Sequence, residues 1–231
     1  MAVLGKLIGL VVLWGASSLL YDVVSSPDFR IGRVSVTGNR LLTSEEVERT
    51  ASASGVNLFW VRRGELGRRL QLLPPVESAG VALELPDHLL IEIKEREPVA
   101  IWLTSETPFL VDRDGLVLAA RQPSQPLMVV HDPTNQTLAP GDRVNIEAVR
   151  NVANIDGLLT TTFGEQQRQY EYLPSTGMNV VQSVGPRLVL GSTDDLEGKM
   201  VALQTIVRHL QSERTTAELI DVRFRERPYY R

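Results

Sequence analysis

The sequence predicts an α+β protein in which two folded regions follow one apolar N-terminal helix. Three observations predict this class. Residues 3–24 are almost entirely apolar, residues 29–97 show the order strand, helix, helix, strand, strand, and residues 98–231 combine many strand signals with two helical patterns. Apolar residues at every second position indicate half-buried strands, and apolar residues at steps of three and four indicate core-facing helices.

Composition limits the classes of function. The chain has 231 residues, which suits one or two domains, and 43% of them are apolar, which is enough for a core. The net charge of -4 provides no basic face, so we expect no nucleic-acid partner. The chain has no cysteine, which excludes disulfides, cysteine zinc sites and thiol catalysis.

The N-terminal segment has the pattern of a membrane anchor. Between Val3 and Leu20 only Lys6 is charged, and a spanning helix needs about 20 such residues. We therefore predict a short cytoplasmic tail at 1–6 and a transmembrane anchor at 7–26. Because Lys6 precedes the span and acidic residues follow it, the N-terminus is expected inside and the C-terminal domains outside the cytoplasmic membrane.

Three alternatives for this segment stay open. The small residues at 15–18 could be the cleavage site of a secretory signal peptide. The segment could also be a helix buried in a soluble core. Translation could also begin upstream of Met1.

The region at 29–97 reads as a small complete module. A strand around Val34 ends at the turn residues Gly38 and Asn39. Thr43 and Glu46 form a capping-box pattern, which predicts that a helix begins there. A second short helix and a two-stranded hairpin follow, and their apolar positions are Leu66, Leu70, Leu73, Val81, Leu83, Leu85, Leu89, Ile91 and Ile93.

The region at 98–231 is richer in strands. Two helices are predicted, one from Ile146 to Leu159 and one that opens at Thr193 and continues to Leu210. The segment 131–143 is rich in turn residues and is predicted to be an exposed loop. The predicted strands cover residues 99–103, 108–112, 116–119, 127–130, 169–173, 178–184, 187–190 and 218–225.

The module resembles the POTRA domain of the FtsQ/DivIB family of bacterial cell division proteins. The matching phrases, in the order of the family, are Val34–Asn39, Gly55–Phe59, Leu72–Val76, Leu85–Asp87 and Glu95–Trp102. The second region resembles the β domain of the same family through Leu188–Gly191, Leu196–Lys199 and Ile220–Phe224. The resemblance implies a single-pass, non-enzymatic scaffold at the division septum that helps to support septal peptidoglycan synthesis.

The resemblance also implies partners and an interface. Members of the family hold the small membrane proteins FtsB (DivIC) and FtsL on the final strand and the helix before it. The corresponding residues here are Ile220, Asp221, Val222, Arg223 and Phe224. A final strand at the sheet edge could accept a partner strand, while Arg223 offers a forked donor and Phe224 an apolar anchor. The alternative is that Phe224 packs inward and Arg223 is only solvated.

Sequence motifs of catalytic, metal-binding and nucleotide-binding sites are absent or have simpler explanations. The three histidines belong to no metal-binding pattern, and the sequence has no GxSxG, SxxK, GxGxxG or P-loop motif. Asp112, Asp114 and Gly115 hint at a calcium loop but fit a hairpin turn better. Leu173–Gly177 spells the LPxTG sortase signal, yet folded sequence follows, so we predict a turn. No catalytic residue, metal, cofactor or small-molecule substrate is expected.

Two other functions compete with the scaffold. One is a POTRA-containing component of envelope transport or assembly, which would carry tandem POTRA modules or a membrane β-barrel. The other is an exported hydrolase, which would need a convergent polar site. Neither set of features is visible in the sequence.

Overall fold

The computed structural model describes residues 2–231, with side chains described for residues 9–19 and 21–231. Over this range the helices are α1 (Ala2–Val24), α2 (Ser44–Ala51), α3 (Arg63–Leu70), α4 (Ile146–Phe163) and α5 (Leu196–Glu213). The strands of the N-terminal part are β1 (Arg33–Thr37), β2 (Val76–Glu84) and β3 (His88–Glu95). The remaining strands are β4 (Ala100–Thr104), β5 (Thr107–Val111), β6 (Val117–Ala120), β7 (Met128–Asp132), β8 (Arg168–Leu173), β9 (Gly177–Gln182), β10 (Arg187–Gly191), β11 (Leu219–Asp221) and β12 (Tyr229–Tyr230).

The chain divides into two compact units, one ending at Glu95 and one covering Arg96–Arg231. Helix α1 belongs to the first unit and is continuous over 23 residues. In the part of the chain that the structure describes, no helix meets the length and hydropathy needed to cross a membrane. The predicted tail at 1–6 and the first two positions of the predicted anchor lie outside the residues with described side chains.

The first unit contains a three-stranded sheet in the order β1-β3-β2. Strand β1 is parallel to β3, with Val34 opposite Leu89, and β2 is antiparallel to β3, with Val81 opposite Ile91. Helices α2 and α3 pack on this sheet. Their shared core consists of Ile31, Val47, Ala51, Ala53, Leu58, Leu66, Leu70, Val76, Leu89, Ile91 and Ile93. The predicted order of strand, helix, helix, strand, strand is confirmed.

Local hydrogen bonds explain why α2 begins where it does. The Glu46 N–H donates to the Thr43 hydroxyl oxygen at 3.2 Å, and the Glu46 carboxylate accepts the Thr43 N–H at 2.8 Å. Both bonds satisfy donors that a helix start leaves without partners, so the predicted capping box is confirmed. The Glu95 carboxylate accepts the N–H groups of Leu41 and Leu42 at 2.7 and 2.9 Å, which fixes the approach to α2.

The second unit contains a nine-stranded mixed sheet in the order β12-β11-β10-β9-β8-β7-β4-β5-β6. The pairs β4–β7, β7–β8 and β10–β11 are parallel, and the other pairs are antiparallel. Helices α4 and α5 share one hydrophobic core with alternate strand residues such as Trp102 and Leu188. A mixed sheet with two packed helices agrees with the predicted α+β class.

The predicted final strand at 218–225 is wrong in length and in position. Strand β11 stops at Asp221, and β12 pairs with its outer side, so β12 forms this edge of the sheet. The physical reason is local. The Asp221 carboxylate accepts the backbone N–H of Arg223 at 3.0 Å, a bond that turns the chain out of the extended path.

Candidate functional site

The sheet edge at β12 is the candidate site, and its backbone is arranged to receive another strand. Tyr229 lies opposite Asp221 and Tyr230 opposite Ile220. Leu219 and Arg231 exchange both backbone hydrogen bonds, at 3.1 and 3.2 Å. Because hydrogen-bonded and non-hydrogen-bonded pairs alternate in an antiparallel ladder, the N–H and C=O of Tyr230 point away from β11. These two groups therefore face the open side of the sheet.

An exposed aromatic patch surrounds this backbone. Phe224, Tyr229 and Tyr230 are 71%, 51% and 41% exposed. The ring of Tyr230 lies 6.2 Å from the ring of His209, centre to centre, so α5 backs the edge strand. A turn in which Arg227 N–H donates to the Phe224 carbonyl at 3.0 Å places Phe224 just before β12. Large aromatic side chains of this kind provide contact area at protein interfaces.

Arg223 lies beside the patch and is held in place by its neighbour. Its Nε donates to Asp221 Oδ2 at 2.9 Å, and the second guanidinium nitrogen lies 2.8 Å from the same oxygen. The hydrogen bond to Asp221 is the main reason why the pKa of the Arg223 guanidinium is raised. Gly191, with φ of +77°, lies against this side chain, and a Cβ there would come within 2.8 Å of Arg223 Cγ. Contacts with Asp221 and Gly191 therefore fix the orientation of the Arg223 side chain.

A groove of about 360 Å³ adjoins Arg223 and Phe224. Its walls are the turn between β8 and β9, the start of α4 and the segment after β10. The Asn145 side chain in this wall caps α4 by accepting the Ala148 N–H at 2.8 Å and donates to the Tyr172 hydroxyl at 2.9 Å. The Leu173–Gly177 segment forms the β8–β9 turn, as predicted. The groove is thus a recess beside the sheet edge, and the polar groups of Asn145 are already used within the fold.

Potential metal ligands are engaged elsewhere or dispersed. Asp112 Oδ1 accepts the N–H groups of Asp114 and Leu116 at 2.8 and 2.9 Å, which is the predicted hairpin turn. Arg96 donates to the other Asp112 oxygen at 3.1 Å. Among residues 2–231 as described, no group of three or more histidine or acidic side chains is placed to hold a metal ion.

Comparison with known proteins relates the chain to bacterial cell division proteins. Residues 29–96 match the family model described as "POTRA domain, FtsQ-type". The chain is 28% identical to "Cell division protein FtsQ" of Chloroflexus aurantiacus over 95% of its length and 80% of that protein. It is 26% identical to the FtsQ of Myxococcus fulvus over 98% of its length and 81% of that protein. It is also 26% identical to "Cell division protein DivIB" of Clostridium acetobutylicum, over 42% of this chain and 39% of that protein.

Residues 29–96 are thus an FtsQ-type POTRA domain, and the chain as a whole is similar to FtsQ proteins over most of its length. The resemblance inferred from the sequence is therefore confirmed. The POTRA model covers only the first folded region, and the longer matches to FtsQ proteins extend through the second.

The five residues predicted as the FtsQ/DivIB interface have different surroundings. Ile220 and Val222 are fully buried in the core, and Asp221 is 5% exposed and bound to Arg223. Arg223 and Phe224 alone of the five reach the surface. The alternative that Phe224 packs inward does not agree with its exposure. The interface itself remains a prediction.

Sequence reasoning missed Tyr229 and Tyr230. The signal was present, because tyrosine has a high strand propensity and Pro228 can precede an edge strand without breaking a ladder. A strand of two residues is too short to produce an alternating pattern, so only its pairing with β11 defines it.

Lys199 stabilises the part of the second unit that carries the site. It is a buried lysine on α5 whose Nζ donates to the carbonyls of Leu190 and Ser192 at 3.0 and 2.6 Å. Burial lowers the pKa of this ammonium group. The lysine thus ties α5 to the end of β10, on which β11 and β12 are built.

Proposed function

We propose that this chain is a membrane-anchored scaffold of the bacterial division apparatus. It binds small partners, FtsB/DivIC-like and FtsL-like, through the β12 edge. The single observation that carries the proposal is the outward-facing Tyr230 backbone beside the exposed aromatic patch of Phe224, Tyr229 and Tyr230. The matched relatives, which are named as cell division proteins, support the setting.

Helix α1 is the proposed anchor, crossing the cytoplasmic membrane once with the N-terminus inside. A helix of 23 residues is about 35 Å long at 1.5 Å per residue, which exceeds the hydrocarbon thickness of about 30 Å. No charged residue stands between Lys6 and Asp22. The two folded units then lie outside the membrane, at the division septum.

Binding proceeds by strand addition in this proposal. A partner strand pairs with the N–H and C=O of Tyr230, and the aromatic patch buries apolar side chains of the partner. Because the edge is short, the side chains contribute a large share of the affinity. The function is recruitment without catalysis: partners held at the septum support septal peptidoglycan synthesis.

The test compares full-length fluorescent fusions in dividing cells, with capture of membrane partners. Tyr230→Pro removes the outward N–H, and Phe224→Ala removes the most exposed ring of the patch. Val184→Ala, at a 76% exposed position of the β9–β10 turn, is the matched control. We expect midcell bands for wild type and control, and loss of the small membrane partners for the two edge variants.

Two results would contradict this proposal in different ways. An even envelope distribution of the wild type refutes the division role and favours an envelope transport or assembly component. Retention of the partners by both edge variants, with normal midcell bands, refutes the β12 edge as the binding surface.

A further inference from the structure

The first unit exposes an aromatic loop, defined here as Gly55–Trp60. Val56, Phe59 and Trp60 are 40%, 44% and 60% exposed, whereas Leu58 between them is buried in the core. The last three residues form a 3-10 helix, and Asn57 Oδ1 accepts the Phe59 N–H at 3.0 Å. The buried leucine and the cap hold the loop in one shape, so its apolar side chains are presented outward by the fold.

The aromatic loop is attached to the end of α1. Asn57 Nδ2 donates at 2.9 Å to the carbonyl of Val24, the last residue of that helix. The rings of Phe59 and Phe29 meet edge to face with centres 5.1 Å apart. A helix end leaves its last carbonyls without partners inside the helix, and the loop supplies a hydrogen-bond donor for one of these carbonyls. Loop and helix end are thus parts of one packed junction.

We propose that the aromatic loop inserts into the outer interface of the bilayer and holds the POTRA unit against the membrane surface. This inference rests on the proposed membrane anchor. The occupant of the exposed face is lipid, because the face is continuous with the end of the helix that enters the bilayer.

The dimensions agree with this placement. A 3-10 helix rises about 2 Å per residue, so Trp60 lies about 6 Å along the axis from Asn57, which touches the helix end. The polar interface of one leaflet is about 5–7 Å thick. The loop axis is therefore no longer than this interface is thick, and the interface is where aromatic rings are enriched in membrane proteins.

Two positively charged side chains next to the aromatic loop also suit the membrane interface. Arg62 and Arg63 follow Trp60 after one intervening residue, Val61, and both arginines are exposed. Arginine at a membrane boundary keeps its guanidinium among the head groups while its stem covers apolar surface. Two attachments, a helix and a loop, restrict the rotation of the POTRA unit more than a helix alone would.

The test uses the full chain in phosphatidylethanolamine–phosphatidylglycerol vesicles, with brominated phosphatidylcholine as a quencher of tryptophan emission. Trp14→Phe leaves Trp60 and Trp102, and Trp102 is buried beyond the reach of lipid bromines. We expect a blue-shifted emission that bromines near the head group quench more strongly than bromines deep in the chains.

The matched control moves the tryptophan within the same unit. Leu72 is 80% exposed and lies beyond the eight-residue helix α3, so Trp14→Phe/Trp60→Phe/Leu72→Trp carries an exposed indole away from the junction. Quenching of Trp60 no stronger than quenching at position 72 overturns the inference. So does a Trp60 emission that changes with protein concentration rather than with bromine depth, since a second protein copy then covers the loop.

Failure of the anchor is separately visible. In the wild type, Trp14 must be quenched by deep bromines, and the chain must stay with vesicles in an alkaline wash. If both fail, the proposed anchor itself is wrong. If both hold while Trp60 shows no preference for bromines near the head group, only the loop inference is wrong.

Discussion

Replacing Lys199 with methionine tests whether one buried ammonium group holds the end of β10 to α5. Methionine has a similar length and is apolar, so it fills the space while removing the donors. The change leaves the carbonyls of Leu190 and Ser192 without their partner. A lost hydrogen bond to a charged group costs about 1.5–3 kcal/mol. Relief from burying a charge offsets part of the loss.

The net expectation is a loss of about 2 kcal/mol in the free energy of unfolding of the second unit. For a unit of this size this lowers the Tm by about 6–8 °C. The assay is thermal unfolding of the full chain in detergent, followed by near-ultraviolet circular dichroism. Val201→Met introduces the same residue at a position of α5 that is 61% exposed, so we expect a change within about 0.5 kcal/mol.

The same pair of proteins gives a pH test. The pKa of Lys199 is lowered from its ordinary value of 10.5 by burial, so the unfolded chain binds more protons than the folded chain between the two values. Stability rises with pH where the unfolded state binds more protons. The free energy of unfolding of wild type relative to Lys199→Met should therefore rise as the pH increases through the lowered pKa towards 10.5. A variant as stable as wild type, with a pH-independent difference, would refute the role assigned to Lys199.

Three further changes test other contacts. Asp132→Asn should lower the free energy of unfolding of the second unit by about 1.5–3 kcal/mol. The reason is that the buried carboxylate accepts hydrogen bonds from Trp102 Nε1, the Thr134 N–H and hydroxyl, and Gln136 Nε2. The measurement is the Tm of this unit. Thr43→Ala should destabilise the first unit by about 1 kcal/mol through loss of the cap, seen as faster amide exchange in α2. Gly191→Ala should displace Arg223 and weaken partner capture, since its positive φ and the 2.8 Å approach leave no room for a Cβ.

Their controls and contrary outcomes are specific. Thr43→Ser keeps the hydroxyl and should exchange like wild type, so equal exchange in Thr43→Ala would show that the cap adds nothing. An unchanged Tm for Asp132→Asn would mean that the amide satisfies the same donors. Full partner capture by Gly191→Ala would show that the position of Arg223 does not matter for binding.

Much of the fold could be predicted from the sequence because its signals act over a few residues. The capping box of Thr43 and Glu46 forms as predicted, since both hydrogen bonds join positions three apart. The turn at Leu173–Gly177 and the apolar stripe of α5 are equally local. The five phrases in the first region sufficed to predict an FtsQ-type POTRA domain, which the match over residues 29–96 confirms.

The edge that carries the proposed function could not be predicted in this way. Alternation from Ile220 to Phe224 indicated a strand that continued to Arg225, but the Asp221 carboxylate captures the Arg223 N–H and ends it. Nothing in the local pattern shows that this carboxylate is buried beside β10, where it is held for that bond.

By itself, the sequence determined the resemblance to FtsQ proteins, the order of elements in the first unit, the start of α2 and the apolar stripe of α5. Only the tertiary structure decided which strand lies at the edge. Strand β12 is two residues long and exists because β11 pairs with it, while β11 is placed by its parallel pairing with β10. Such pairing joins residues distant in sequence, so its energy appears only after the chain has closed the loops between them.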